Sequence, residues 1–295
     1  MGGILIIAAT VVSVLMWAKL TIPLVWIFVG AFTAFGALGF LDDYLKVVKK
    51  DRDGLSSRQK LLGQIVISTV SIYALDHLVE TGHFLRQFYV PFWKHPVWQM
   101  SLIVTLVWGC LVLISSSNAV NLSDGMDGLA TGCMVICALT FAVFAYFCGH
   151  SRFADYLNIP FIAGSGEVAI FATAIAGATL GFLWTNCYPA AVFMGDTGSL
   201  ALGGAIGLIA LLVRQELLLV VVGGIFVLEA GSAFLQIGFF KLTRRLTGTP
   251  RRLFKCAPIH HHLKQSGWTE TQIVIRFWII SAVLAAAGLA TLKIR

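Results

Sequence analysis

An all-α, polytopic membrane bundle is the fold class this sequence predicts, and three observations predict it. The chain is 58% hydrophobic and only 12% charged over 295 residues, about half the charged share of a soluble domain. About nine apolar stretches approach the length needed to cross roughly 30 Å of hydrocarbon as helices. The basic residues divide unevenly between alternate connections. Lipid offers the backbone no hydrogen bonds, so helices are the expected spanning form. The apolar runs do not alternate as barrel strands would. Residues 1–295 are expected to form one transmembrane domain.

The stretches lie near 2–19, 22–41, 61–80, 98–117, 129–148, 168–187, 198–213, 217–240 and 273–292, the seventh being the shortest. With nine spans, alternate connections share a side. One set carries Lys46, Lys49, Lys50, Arg52, Arg58 and Lys60, then Lys241, Arg244, Arg245, Arg251, Arg252, Lys255 and Lys264. The other carries Arg86, Lys94, Arg152 and Arg214. The positive-inside rule puts the first set, and the N-terminus, in the cytoplasm. Most of these basics are expected to serve topology and anionic lipid, a few the substrate, and no nucleic acid is expected as a partner. The segment 81–97, with Pro91, Pro96 and several aromatics, reads as an outer interfacial connection. The six cysteines (110, 133, 137, 148, 187 and 256) form no CxxC pair and read as reduced thiols. No basic n-region or myristoylation signal is visible at the start.

Polar residues collect in four inner connections. Asp42 and Asp43 end the second span, where a helix C-terminus disfavours negative charge. The structural reading is an i,i+4 ion pair of Asp42 with Lys46; the functional one is a carboxylate pair for metal or proton transfer. Asn121, Asp124 and Asp127 open the fifth span with helical spacing, so successive members share a face. Capping explains one of them, but not the whole set with Gly125 and Gly128, which admit a ligand close to the backbone. Asp196, in "FMGDTGSLALGG", reads as an N-cap with Ser199 three residues on, or as part of an anion site. Asn186 ends the sixth span. His260, His261 and His262 suit phosphate contact better than a tetrahedral zinc. Glu229 and Gln236 lie one heptad apart in the eighth span, as a groove wall or proton path.

Acids among lysines, arginines and histidines would repel a phosphate unless a divalent cation bridges them. Mg²⁺ takes one or two carboxylates plus substrate oxygens and neutralises a transferring phosphoryl group. The pattern points to phosphoryl transfer at the inner membrane face, with a lipid-tailed substrate explaining why spanning helices carry the site. A transporter or channel is the rival class. It predicts polar groups at the midplane of several spans, whereas here they sit at inner ends. A membrane scaffold would not need the acids.

The pieces "GFLDDYLKVVKK", "SNAVNLSDGMDGLA", "GFLWTNCYPAAVFMGDTGSLALGG", "APIHHHLKQSGW" and "VIRFWIISAVLAAAGLATLKIR" resemble the phospho-N-acetylmuramoyl-pentapeptide transferase (translocase I) family of polyprenyl-phosphate sugar-phosphate transferases. The triple-histidine piece separates that family from sister transferases that use other UDP-amino sugars. The resemblance runs from residue 1 to residue 295. It implies transfer of phospho-MurNAc-pentapeptide from UDP-MurNAc-pentapeptide to undecaprenyl phosphate, giving lipid I and UMP, with Mg²⁺, at the bacterial cytoplasmic membrane.

It also implies roles for particular residues. Asp42, Asp43 and Asp196 match the catalytic acids, Asp196 as the Mg²⁺ ligand and Asp42 or Asp43 acting on the lipid phosphate. Asn121, Asp124, Gly125, Met126, Asp127 and Phe193 match the nucleotide pocket, with a ring stacked on Phe193. Asn186, His260, His261 and His262 match polar positions near the diphosphate, with His260 among the catalytic groups. Lys46 and Lys60 match basic positions, and Glu229 is grouped with the substrate contacts. Direct attack and a covalent aspartyl intermediate both remain open, as does the oligomeric state, a homodimer being one arrangement. Members of the family have ten spans, and this sequence starts just before the second. The first span and a basic loop with a nucleotide-pocket lysine are therefore expected to be missing here. The stretch "TRRLTGTPRRLFKC" is longer than the family's usual loop before the histidines.

Overall fold

The computed structural model describes residues 1–49, 54–78, 82–93 and 95–293; Lys50, Arg52 and Lys94 lie outside the described residues. The helices are α1 (Gly3–Trp17), α2 (Pro23–Val47), α3 (Ser57–Leu78), α4 (Gly82–Leu85), α5 (Leu102–Ser123), α6 (Leu129–Cys148) and α7 (Ser151–Tyr156). They continue with α8 (Ser165–Asn186), α9 (Gly195–Leu212), α10 (Glu216–Val222), α11 (Gly224–Thr247), α12 (Ile259–Gln265) and α13 (Glu270–Ala290). A two-residue antiparallel pair, β1 (Gln87–Phe88) with β2 (Trp98–Gln99), interrupts the 81–97 connection.

All nine predicted stretches fall largely on these helices. Among the described residues, seven are long and apolar enough to cross a membrane: α2, α5, α6, α8, α9, α11 and α13. The chain is therefore a multi-pass helical membrane protein. α1 is apolar but only 15 residues long. α3 has 22 residues yet buries Gln64, Ser68, Ser71 and Asp76. Three of those groups are paired inside the bundle: Gln64 donates to Ser117 Oγ and accepts from Asn118 Nδ2, the Ser71 hydroxyl donates to the Ile67 carbonyl, and Asp76 accepts from Arg86.

Two expectations need correction. The fourth stretch begins later than predicted, because Ser101 caps α5 by accepting from the Val104 N–H. The eighth is two helices, because the chain breaks at Gly223 between α10 and α11, a Gly–Gly pair being a common site of kinking.

The shortest predicted span, α9, is the hub. It packs against α2 and α5 and is buried along nearly its whole length. Its sequence "GSLALGGAIG" explains why. A Cβ on Gly203 would lie 2.6 Å from Ser117 Cα of α5, so only glycine lets the two backbones approach so closely. The same device operates where α2 meets the start of α9: a Cβ on Gly39 would lie 2.1 Å from the Asp196 carbonyl oxygen. That contact brings Asp42 and Asp43, one turn further along α2, up to Asp196.

Candidate active site

Two helix ends build the acidic centre. Asp42 and Asp43, in the last turns of α2, are 1% and 9% exposed. Asp196 is in the first turn of α9. One carboxylate oxygen from each of the three lies within 4.8 Å of the others.

The three acids are not equivalent. Asp43 Oδ1 accepts from the Asp196 N–H at 3.2 Å, and Oδ2 accepts from the Thr197 N–H at 3.0 Å and the Thr197 hydroxyl at 2.6 Å. α9 has no side-chain cap of its own. Asp43 takes that part from another helix, satisfying N–H groups a helix start leaves open. Asp196 is therefore not the N-cap but a residue inside the first turn, and the Ser199 hydroxyl returns to the Gly195 carbonyl at 2.9 Å.

Asp42 and Asp196 share cations instead. Lys46 Nζ lies 2.5 Å from Asp42 and 3.3 Å from Asp196. Lys60 Nζ lies 2.6 Å from Asp196 and 4.0 Å from Asp42. The i,i+4 pair of Asp42 with Lys46 read from the sequence thus exists, but as one edge of a network. Lys60 stands in the first turn of α3, which a capping box starts: Ser56 Oγ accepts from the Gln59 N–H, and Gln59 Oε1 accepts from the Ser56 N–H. The Leu55 N–H donates to Asp42 Oδ1 at 2.8 Å. Asn121 completes the frame, donating to Asp196 Oδ1 at 2.6 Å and Ser199 Oγ at 2.8 Å.

The "NLSDGMDG" stretch is not the opening of a helix. α5 ends at Ser123, the chain turns, and α6 begins after Gly128 in the left-handed region (φ 77°). Asn121 and Asp124 consequently reach toward α9, while Asp127 accepts from the Ala190 N–H at 2.9 Å. Burial pushes the Asp124 carboxyl up to about 7; Asp196 and Asp43 add to the rise, and the Gly195 N–H opposes it. Met126 is buried beneath the turn. Phe193, in the connection before α9, is 63% exposed.

Asn186 is spent on structure. Its Oδ1 accepts from the Gly128 N–H and the Thr131 hydroxyl, and its Nδ2 donates to the Val192 carbonyl. It ties α8 to the start of α6. Trp278 Nε1 of α13 donates to the Gly128 carbonyl, a contact that only the tertiary fold reveals.

The histidines sit on α12 and differ from one another. His260 Nδ1 lies 2.8 Å from Glu229 Oε2, with both side chains almost wholly buried. Its Nε2 has no hydrogen-bond partner and faces Gly125, where a Cβ would lie 2.5 Å away. Burial and the neighbouring His260 hold His261 below the usual histidine range. His262 Nδ1 accepts from the Lys255 N–H. Glu229 is thus neither a groove wall nor part of a path with Gln236, because each anchors a different part of the histidine segment. Gln236 accepts from the Leu253 and Phe254 N–H groups and donates to the Phe254 carbonyl.

Beside this end runs an apolar groove of about 570 Å³. Leu61, Asn118 and Leu122 line it near the acids, and Trp108, Glu216 and Leu217 at the far end. Apolar carbon dominates its walls, so it suits a hydrocarbon chain.

The glycosyl transferase family 4 pattern matches residues 25–214, a stretch that includes all three acids. A phospho-N-acetylmuramoyl-pentapeptide-transferase of Neisseria meningitidis serogroup C is 50% identical over 295 residues, covering 100% of this chain and 80% of the relative. Proteins of the same name from Neisseria gonorrhoeae and Solidesulfovibrio magneticus are 49% and 50% identical over the same span. The chain belongs to glycosyl transferase family 4 and, within it, to the phospho-N-acetylmuramoyl-pentapeptide-transferases.

Proposed function

We propose that the protein transfers phospho-MurNAc-pentapeptide from UDP-MurNAc-pentapeptide to undecaprenyl phosphate, releasing UMP and leaving lipid I in the bacterial cytoplasmic membrane, with the acidic end facing the cytoplasm. One observation carries this reading: an acid–lysine cluster stands beside an apolar groove, whose lining residues Leu61 and Leu122 adjoin Lys60 and Asn121. A polyprenyl phosphate needs both, since its tail is hydrocarbon and its head is a charged nucleophile.

The donor set suits Mg²⁺. Asp43 is occupied by three hydrogen bonds from α9, which leaves Asp42 and Asp196. Two ammonium groups stand between those carboxylates, so the cluster already requires cationic charge there. Asp196 would hold the ion, with Asp42 facing it. When bound, Mg²⁺ neutralises charge on the transferring phosphoryl group. Lys46 and Lys60 hold phosphate oxygens, Asp42 orients or deprotonates the lipid phosphate, and Asn121 keeps Asp196 in place. Phe193 offers a ring face to the uracil, with Asp124, Gly125, Met126 and Asp127 forming the adjoining wall. His260, held by Glu229, and His261 line the diphosphate side.

The test is incubation with labelled UDP-MurNAc-pentapeptide and a polyprenyl phosphate, with and without EDTA. UMP release that depends on both lipid and metal is expected. Release without the lipid acceptor, or none with every component present, would overturn the assignment.

A further inference from the structure

A second concave site lies on the far side of the histidine segment. It has a volume of about 400 Å³ and is floored by Ala233, Ile237, Phe240 and Ala257. Three cations, Lys241, Arg252 and Lys255, stand around it. The transfer chemistry gives these cations no task. Lys241 and Arg252 have no ion-pair or hydrogen-bond partner among the described residues, whereas Lys255 Nζ also donates to the Gln265 carbonyl. Their placement is built rather than random. Gln236 fastens the backbone at Leu253 and Phe254 to α11 with three hydrogen bonds. That fixes Arg252 and Lys255 on the same pocket as Lys241.

Topology and anionic lipid account for most inner basics, but this pocket faces elsewhere. At about 100° per residue, Gln236, Phe240 and Lys241 share one side of α11. The exposed leucines Leu235, Leu242 and Leu246 point nearly opposite and suit lipid, while Phe234 and Ile237, also exposed, lie on the pocket's side. The pocket is closed off by residues 252–257. It borders the histidine segment, where the Lys255 N–H donates to His262, two residues from His260.

We propose that this pocket holds the pentapeptide of the donor, with Lys241 and Arg252 pairing its terminal carboxylate. The proposal rests on the transferase reading. Its chemistry follows from the donor: a peptide joined to a muramoyl group through its amino end leaves its carboxyl end free and ionised. Uncompensated cations beside an apolar floor suit a short acidic peptide, and charge-assisted hydrogen bonds fix its end.

The experiment compares two donors, UDP-MurNAc-pentapeptide with a free carboxyl terminus and the same donor carrying a C-terminal amide. Each is assayed for UMP release by the wild type and by the Lys241→Gln/Arg252→Gln double variant, in zwitterionic and in anionic lipid vesicles. UMP release from either donor by the wild type tests the transferase reading; the ratio of KM values tests the pocket. In the wild type, the amide should raise KM about tenfold with kcat little changed. In the double variant the free-acid donor should show that same raised KM, and the amide donor no further rise. Equal KM values for the two donors in the wild type would overturn the proposal. So would a loss in the variant of equal size for both donors, or one seen only in anionic vesicles, which would assign the cations to lipid headgroups.

Discussion

The two ends of the bundle handle buried charge in opposite ways. At the end away from the acids, Arg214 and Glu216 form a sealed pair: Nη1 to Oε1 is 2.9 Å and both side chains are 0% exposed. Arg214 also donates to the Gln87 carbonyl, pinning β1 to the α9–α10 corner. At the other end, Asp42, Asp196, Lys46 and Lys60 form an open network in which Lys46 is 40% exposed and every charge has more than one partner. Both side chains of the sealed pair are closed to solvent, so its value is positional. An open network with shared cations can exchange a lysine contact for a ligand without leaving a charge stranded. Burial of charge is common to both ends; access separates structure from chemistry.

The largest test of this contrast is Asp196→Asn. It removes the carboxylate on which Lys46, Lys60 and Asn121 converge, and UMP release should fall by about three orders of magnitude. The melting temperature in detergent should change little, since the amide still meets Asn121 and solvent. Turnover near the wild-type value would take Asp196 out of the chemistry. Arg214→Met should do the reverse. It strands Glu216 and should cost about 3 kcal/mol of stability, while the fraction that remains folded keeps its turnover. Converting Glu216 to Gln in the same chain should recover much of the loss. A folded but inactive Arg214→Met protein would mean that the sealed end also participates in the reaction.

Asp43 is the intermediate case, an acid within the open network that behaves as structure. Asp43→Asn loses part of the cap on α9, worth about 1 kcal/mol, and displaces the backbone that carries Asp196. A lower melting temperature with a roughly tenfold drop in kcat is expected. Asp42→Asn should reduce kcat further, with less effect on melting. If Asp43→Asn melts like the wild type yet is as inactive as Asp196→Asn, then Asp43 is chemical and not a cap.

The same contrast explains what was legible in the sequence. Hydropathy is a local property, so all nine stretches fall largely on helices, seven of them, among the described residues, long and apolar enough to cross a membrane, and the sequence pointed to the three acids that the fold brings together. What local reading missed was partnership. Nothing near Asp43 says that it caps a helix some 150 residues away. Asn186 reads as a polar boundary residue, yet its amide makes three hydrogen bonds, two tying α8 to the start of α6 and one to the Val192 carbonyl. Glu229 and Gln236 share a heptad spacing that suggests one path, but each bonds a different part of the chain returning toward α13. The regular spacing of Asn121, Asp124 and Asp127 suggested one helix face, but α5 ends at Ser123 and Gly128, at φ 77°, carries the chain into α6.

Phe193 carries the smallest expected effect. Its side chain is 63% exposed, while its carbonyl accepts from the Gly2 N–H at 2.8 Å and the next side chain, Met194, is fully buried. The backbone is therefore fixed by groups that Phe193→Ala leaves intact, so the variant tests the ring alone. An exposed phenylalanine at the end of a spanning helix has two uses, insertion into the lipid interface or stacking on a planar ligand. Stacking is worth about 1 kcal/mol, so the Kd for UMP should rise about fivefold, with kcat nearly unchanged because the ring touches no reacting atom. Interfacial insertion predicts instead an unchanged Kd in detergent and weaker retention in bilayers. Measuring UMP affinity in both media decides whether this residue belongs with the open network or with the lipid around it.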